Sequence, residues 1–431
     1  MKNMGNFQLI MLVLFIFGGV LGIFVFAGFI DLEDTAVNQG PTGTVVLWGT
    51  LPSNVVNPII SDFNKNKTYS VRYVAKREDS FERELLEAIA LGQSPDLFLI
   101  ANDLIYKNSN KISKIPYTNY PLFNFKNNFA TAGEVFLTKE GILALPITIN
   151  PMVMYYNRSI LDENSVAYPP AYWDELEQYA NKFTKKDTLG NINQSAFALG
   201  QYSNITHAKN ILATLFLQKD NTIIEQATSI FRANLSNPSN IEKNVGVLNF
   251  YTDFANPLSK NYSWNKSFSS SLESFSREEL VFYFGLASDL RVLLARNPNH
   301  NFIASPMPQY KDGTKTTYAR VTGLSMSAFA KNKDAATDAM NSLAMGDFAL
   351  KISNVQYLPP ARRDLLAQRG TDAFTPVFYS SALFAKSWLD PSAIDSDNVF
   401  RAMIDEILSN QRTAESALTG ANNRLNLLLN N

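Results

Sequence analysis

The chain has 431 residues, 46% of them hydrophobic and 18% charged. This is too apolar for a disordered chain, too polar for a multi-span membrane protein, and long enough for two or three domains. Lys+Arg total 38 and Asp+Glu 39, so the net charge is −1 and the basic excess of a nucleic-acid binder is missing; with no cysteine and only two histidines, His207 and His300, there are no disulfides, thiolate metal sites or lipidated cysteine, and neither a histidine-rich metal site nor a cofactor is expected.

Residues 7–30, FQLIMLVLFIFGGVLGIFVFAGFI, hold one amide, Gln8, and no charge. As a helix this stretch spans about 36 Å, enough for a hydrocarbon core of about 30 Å with some tilt. A cleaved secretory signal has a shorter apolar region, of about 7–15 residues, although Ala27-Gly28 offers a small-residue site. The segment is therefore read as one transmembrane helix that anchors the chain in the lipid bilayer. Lys2 precedes it, and Asp31, Glu33 and Asp34 follow it. The positive-inside bias then leaves residues 1–6 as a cytoplasmic tail and places the remainder outside. So short a tail excludes a signalling domain. Residues 31–43, with two glycines and a proline, read as a tether.

From residue 44 strands alternate with amphipathic helices. TVVLW at 44–48 reads as a buried strand. A helix follows with Val55, Val56, Ile59, Ile60 and Phe63 on one face, started or kinked at Asn57-Pro58. YSVRYV at 69–74 alternates as a strand. Asp79 and Glu82 have the spacing of a capping box ahead of a helix carrying Phe81, Leu85 and Ile89, which Gly92 ends. DLFLI at 96–100 is a third strand. This order predicts a parallel α/β sheet with ligands at the carboxyl ends of its strands, near 48–51 and 100–103. Residues 143–157 form an apolar run split by two prolines. Helices are predicted over 173–183, 210–217, 241–254, 278–296, 333–344 and 413–429.

Several segments in this order resemble the extracellular solute-binding proteins of ABC importers, of the carbohydrate, maltose-binding-protein-like type. They are VVLWGT (45–50), LLEAIALGQSPDLFLIAND (85–103), LALPITINPMVMYYNRSIL (143–161), PPAYWDELEQYANKFT (169–184), ASPMPQ (304–309), TGLSMSAFAKNKDAA (322–336), YLPPARRDLL (357–366) and SWLDP (387–391). Three features depart from the family pattern: Tyr172 stands where a threonine is usual before Trp173, REELVFYFG (277–285) replaces a glycine-rich segment, and the lipobox cysteine of many members is absent, its tethering role falling to the anchor. The resemblance implies a two-lobed, type II periplasmic-binding-protein-like α/β fold. One lobe would comprise 44–149 and 305–350, the other 153–302 and 353–431. It also implies closure of the lobes on a small solute, carbohydrate foremost, and partnership with ABC permease subunits and their ATPase.

Sugar recognition calls for planar hydrogen-bonding groups at the ring edge and aromatic faces against its C–H surface. The resemblance aligns Asp103 with a ligand-contacting aspartate; the alternative is a helix N-cap. Thr50, beside Gly49, is the cleft candidate at the end of the first strand, whereas Trp48 points inward. Asn150 sits where the chain first crosses between lobes, as a polar ligand group or a turn residue before Pro151. Tyr155 and Tyr156 point opposite ways if extended, and Tyr155 is taken as a candidate. Arg320 precedes the second crossing and Arg362 follows the PPA turn; each is a ligand contact or a surface ion pair. Tyr202, Asn204 and His207 form a polar–aromatic loop on the second lobe, with Asn204 its candidate contact. Trp264 and Trp388 are read as packing before stacking platforms.

No Walker-type loop, G-x-S-x-G or H-E-x-x-H occurs. A glycosidase would need two carboxylates about 5–9.5 Å apart, and no motif singles out such a pair. The leading expectation is thus a membrane-anchored, non-enzymatic capture subunit of an importer. Its rivals are a cell-surface glycan-degrading enzyme and a surface protein of this fold without a transport role.

Overall fold

Strand β1 (Gly43–Gly49) buries Val45, Leu47 and Trp48, and pairs in parallel with β2 (Tyr69–Ala75) on one side and β3 (Leu97–Ala101) on the other. All five residues of β3 are buried, as befits a parallel strand covered on both faces. The computed structural model describes residue 11 and residues 41–430 apart from 228, 229, 300, 369 and 371. The anchor expected over 7–30, the tail before it and most of the tether lie outside the described residues. Among the described residues no helix is long and apolar enough to cross a membrane.

The helix after β1 spans Ser53–Asn64 and buries Val56 and Ile60; it starts ahead of Asn57 and continues through Pro58. The next helix, Phe81–Ala90, does not carry the expected capping box. Its N-cap is Ser80. Asp79 is held by the Arg77 guanidinium at 3.1 and 2.5 Å, and a charged donor is a stronger partner for a carboxylate than a neutral amide. Ser80 Oγ instead donates to Glu84 Oε1 at 2.6 Å.

Strand β4 (Leu145–Asn157) runs through both prolines of the apolar run, and all 13 of its residues are buried. It is followed by β5 (Ile192–Phe197), β6 (Leu280–Leu286), β7 (Phe302–Pro306) and β8 (Thr317–Met326). A ten-stranded sheet results, in which β2-β1-β3-β8-β4-β6-β5 are successive neighbours and β7 pairs with β4 off that path. The early part of β4 pairs antiparallel with β8, while its later part pairs with β6 and β7. The long helix expected over 278–296 is instead β6 followed by a helix at Asp289–Arg296. LVFYFGL is buried at every position between β4 and β5, so its apolar run carries no strand alternation that would set it apart from a helix.

The buried side chains form two clusters. One gathers residues from Val45 to Ile149 and from Ala319 to Ile352, together with Ala361, Leu366, Tyr379, Ala382 and Ala385. The other gathers residues from Met152 to Tyr318 and from Trp388 to Leu429, together with Leu358 and Phe378. The chain passes between them at Ile149–Met152 and Tyr318–Ala319, and repeatedly between Ile352 and Trp388. Residues 43–431 form one compact unit that contains both clusters and the whole sheet, so this piece carries what it needs to fold.

Candidate functional site

The carboxyl ends of β1 and β3 open onto a cavity of about 310 Å³ lined by Thr50, Glu78, Asn150, Ser288, Arg320 and Thr322, among others. A second cavity of about 370 Å³ adjoins it and is lined by Asp103, Lys209, Asn210, Asp390, Asp397 and Arg401. Arg320 lines both, so the two form one cleft. β8 presents Arg320 directly across from Asn150 of β4, and the two crossing strands thereby set the floor of the cleft.

On the wall built on the first core, Arg320 Nε donates to Asp103 Oδ2 at 3.0 Å and Nη2 donates to Glu78 Oε1 at 2.8 Å. Burial works against the guanidinium charge, but Asp103 and Glu78 more than offset it and hold the pKa above the usual arginine value. Asp103 is not a helix N-cap. Ala101 occupies that position ahead of the turn at Asn102–Ile105, and the Asp103 carboxylate reaches across to Arg320.

The facing wall belongs to the second core. Lys209 Nζ donates to Asp390 Oδ2 at 2.7 Å, to the Ala393 carbonyl at 2.9 Å and to Ser396 Oγ at 2.9 Å. The Asp390 side chain is only 3% exposed. Burial pushes its pKa up, and Lys209 pulls it back only partly. Asp397 accepts from Tyr202 Oη at 2.7 Å and from Arg401 Nη2 at 3.0 Å, with the Arg401 guanidinium over the Tyr202 ring.

Asn150 ties the walls together. Its Nδ2 donates to Ser288 Oγ at 2.9 Å, and its Oδ1 accepts from the Ser288 amide at 3.0 Å. It is not a turn residue, because β4 continues through Pro151.

Thus Thr50, Asp103, Asn150 and Arg320 come together at the cleft, and three other expected contacts do not. Tyr155 is fully buried, donates to the Leu286 carbonyl at 3.0 Å and stacks on Tyr283. Burial and the nearby Asp289 carboxylate push its ionisation well above the ordinary tyrosine value. Tyr156 is buried as well. The Asn204 amide is consumed locally: it donates to the Asn265 and Phe268 carbonyls at 3.0 and 3.1 Å and accepts from Trp264 Nε1 at 3.1 Å. Arg362 pairs with Asp364 and donates to the Met345 carbonyl, the last residue of the Lys333–Met345 helix, so it satisfies a helix end. His207 adopts a left-handed φ of 63° and its Nε2 lies 2.9 Å from Asp289 Oδ2.

Trp48, Trp264 and Trp388 are buried at 7, 0 and 3% exposure, and none lines the cleft. Lys209, Asp390, Asp397 and Arg401 escaped sequence reasoning. Asp390 lies within the quoted SWLDP segment, which was the one available signal; Lys209 and Arg401 fall outside every helix expected from sequence and lie in helices Ala208–Gln218 and Ala393–Leu408.

Comparison with known proteins agrees with this architecture. A family model described as bacterial extracellular solute-binding protein matches residues 59–376. A maltotriose-binding protein of Pyrococcus abyssi (strain GE5 / Orsay) is 30% identical over 145 residues, a match spanning 33% of this chain and only 31% of that relative. Among solved structures, a cyclo/maltodextrin-binding protein complexed with maltotetraose superposes with a TM-score of 0.72 at 17% identity, over 90% of this chain and 97% of the other. The sugar-binding protein MalE from Xanthomonas citri gives 0.70 at 16% identity, over 90% and 97%. The chain therefore has the α/β fold of these binding proteins.

Proposed function

The chain belongs to the bacterial extracellular solute-binding protein family, and on that premise we propose that it captures a small hydrophilic solute, a short oligosaccharide foremost, for an ABC importer. The observation that carries this reading is the polar cleft unified at Arg320, with Asp103 and Glu78 on one wall and Lys209, Asp390, Asp397 and Arg401 on the other. The similarity to a maltotriose-binding protein supports the choice of ligand class.

Each lobe is built on one buried cluster, and the crossings at Ile149–Met152 and Tyr318–Ala319 act as hinge segments. A solute that hydrogen-bonds both walls stabilises the closed form, which the permease subunits with their ATPase then receive. Capture at micromolar affinity corresponds to about 8 kcal/mol of binding energy. Charged and neutral polar groups serve the ligand hydroxyls, with Thr50, Asp103, Asn150 and Arg320 contributing from the first wall and the crossing strand. The chain performs no covalent chemistry. The family's extracellular character places the binding unit outside the cytoplasm, and the uncharged segment 7–30 serves as its membrane anchor.

A thermal-shift screen of residues 43–431 against maltotriose, other oligosaccharides and polyols tests the reading. A concentration-dependent rise in melting temperature with at least one sugar supports it. No shift across the panel, or release of new reducing ends from an oligosaccharide, contradicts it.

A further inference from the structure

A larger cavity, about 680 Å³, lies on the other side of the segments that wall the cleft. Asp103 and Asp390 face the cleft, whereas Tyr106, three residues after the first, and Trp388, two residues before the second, line this other space. Asn102 closes the partition: its Nδ2 donates to the Trp388 carbonyl at 3.3 Å and its Oδ1 accepts from the Val321 amide at 2.9 Å.

Two properties of the cavity stand out. Its accessible apolar surface comes from both cores: Tyr106 and Phe231 pack on one cluster, Val135 and Leu137 on the other, and Leu389 on both. Tyr106 and Phe231 meet edge to face at 5.7 Å. Half-buried apolar side chains converging on a space of this volume have the anatomy of a small-molecule site. Its charge is also positive on balance. The lining carries Lys114, Lys139, Lys386, Glu134 and Glu140. Glu140 pairs with Lys114, and Glu134 pairs with Lys126 at 3.4 Å. Lys139 and Lys386 have no ion-pair partner among the described residues. Ser387, also in the lining, buries its hydroxyl without a hydrogen-bond partner among them.

We propose that this cavity is a second binding site, distinct from the cleft, for an amphipathic anion: an aliphatic body against Tyr106, Phe231 and Leu137, with a carboxylate held by Lys139 and Lys386. Neither the family nor the polar cleft calls for it, and it stands whether or not the cleft takes a sugar. The apolar walls supply affinity without direction, and the two uncompensated ammonium groups select the sign of the headgroup.

Calorimetric titration of residues 43–431 with decanoate, decanol and butyrate tests the site. Decanoate is expected to bind at one per chain, decanol about fivefold or more weaker for want of the charge, and butyrate not measurably for want of the chain. The double substitution Lys139→Glu/Lys386→Glu is expected to weaken decanoate about tenfold or more and to leave decanol and the melting temperature nearly unchanged. Arg320→Ala, in the cleft, is expected to leave decanoate binding intact. Absence of decanoate binding, equal binding by the charge-reversed protein, or loss of binding in Arg320→Ala would overturn the proposal, the last by moving the anion into the cleft.

Discussion

The two walls of the cleft use the same chemistry, a cation against an aspartate, in different settings. On the first wall the Arg320 side chain is 32% exposed, and its partners Asp103 and Glu78 are 17 and 63% exposed. On the second, Lys209 and Asp390 are 13 and 3% exposed. The first pair shares its charges with water and can exchange partners when a solute arrives. The second is sealed, with Lys209 satisfied threefold by Asp390, Ala393 and Ser396. A cleft that both recognises and keeps its shape needs both kinds of wall: buried ion pairs hold geometry because breaking one strands a charge, and pairs in contact with water contribute less to stability.

The sharpest way to break this comparison is Lys209→Met, which leaves Asp390 buried and unpaired. Urea unfolding should show a loss of about 3–5 kcal/mol. A loss below about 1 kcal/mol would mean that the walls do not differ in kind. Tyr155→Phe removes a buried hydroxyl and leaves the Leu286 carbonyl one donor short. It should cost about 1–2 kcal/mol and leave solute affinity unchanged, as expected of a core residue. The pH dependence sharpens the picture of the sealed wall. Burial raises the Asp390 pKa, so the native state holds this proton more tightly than the unfolded chain. Its contribution to stability therefore falls as pH rises from the ordinary aspartate value, about 3.9, through the raised folded value. Asp390→Asn should remove that part of the slope in denaturation curves measured across this window; an unchanged slope would assign it to other groups. The smallest effect is expected at Arg320→Ala, whose melting should differ from the parent by less than about 1 kcal/mol of stability, because its partners remain in contact with water.

The sequence makes the first core legible because β2 alternates, the helices keep their period, and the short apolar runs of β1 and β3 are set off by glycine and proline. It marks the carboxyl ends of those strands too, where Thr50 and Asp103 lie, whereas Asn150 and Arg320 are placed by the lobe crossings that the family resemblance implies. Tyr155 misled because an aromatic beside a crossing resembles a platform until its burial between Tyr283 and Phe302 is seen. Residues 278–296 misled because a strand buried on both faces has lost its alternation. The second wall was illegible for a different reason. Lys209 and Asp390 are separated by 181 residues, and each alone is an unremarkable charge on or before a helix. Only the tertiary fold makes them a pair.

The central claim is that the partly exposed wall serves solute recognition. Calorimetric titration of residues 43–431 with maltotriose, in the parent and in Arg320→Ala, tests it most directly. The account predicts micromolar binding that weakens about tenfold or more on substitution, consistent with the loss of a charged hydrogen bond. Equal affinity in the two proteins, or no binding by the parent, would contradict it.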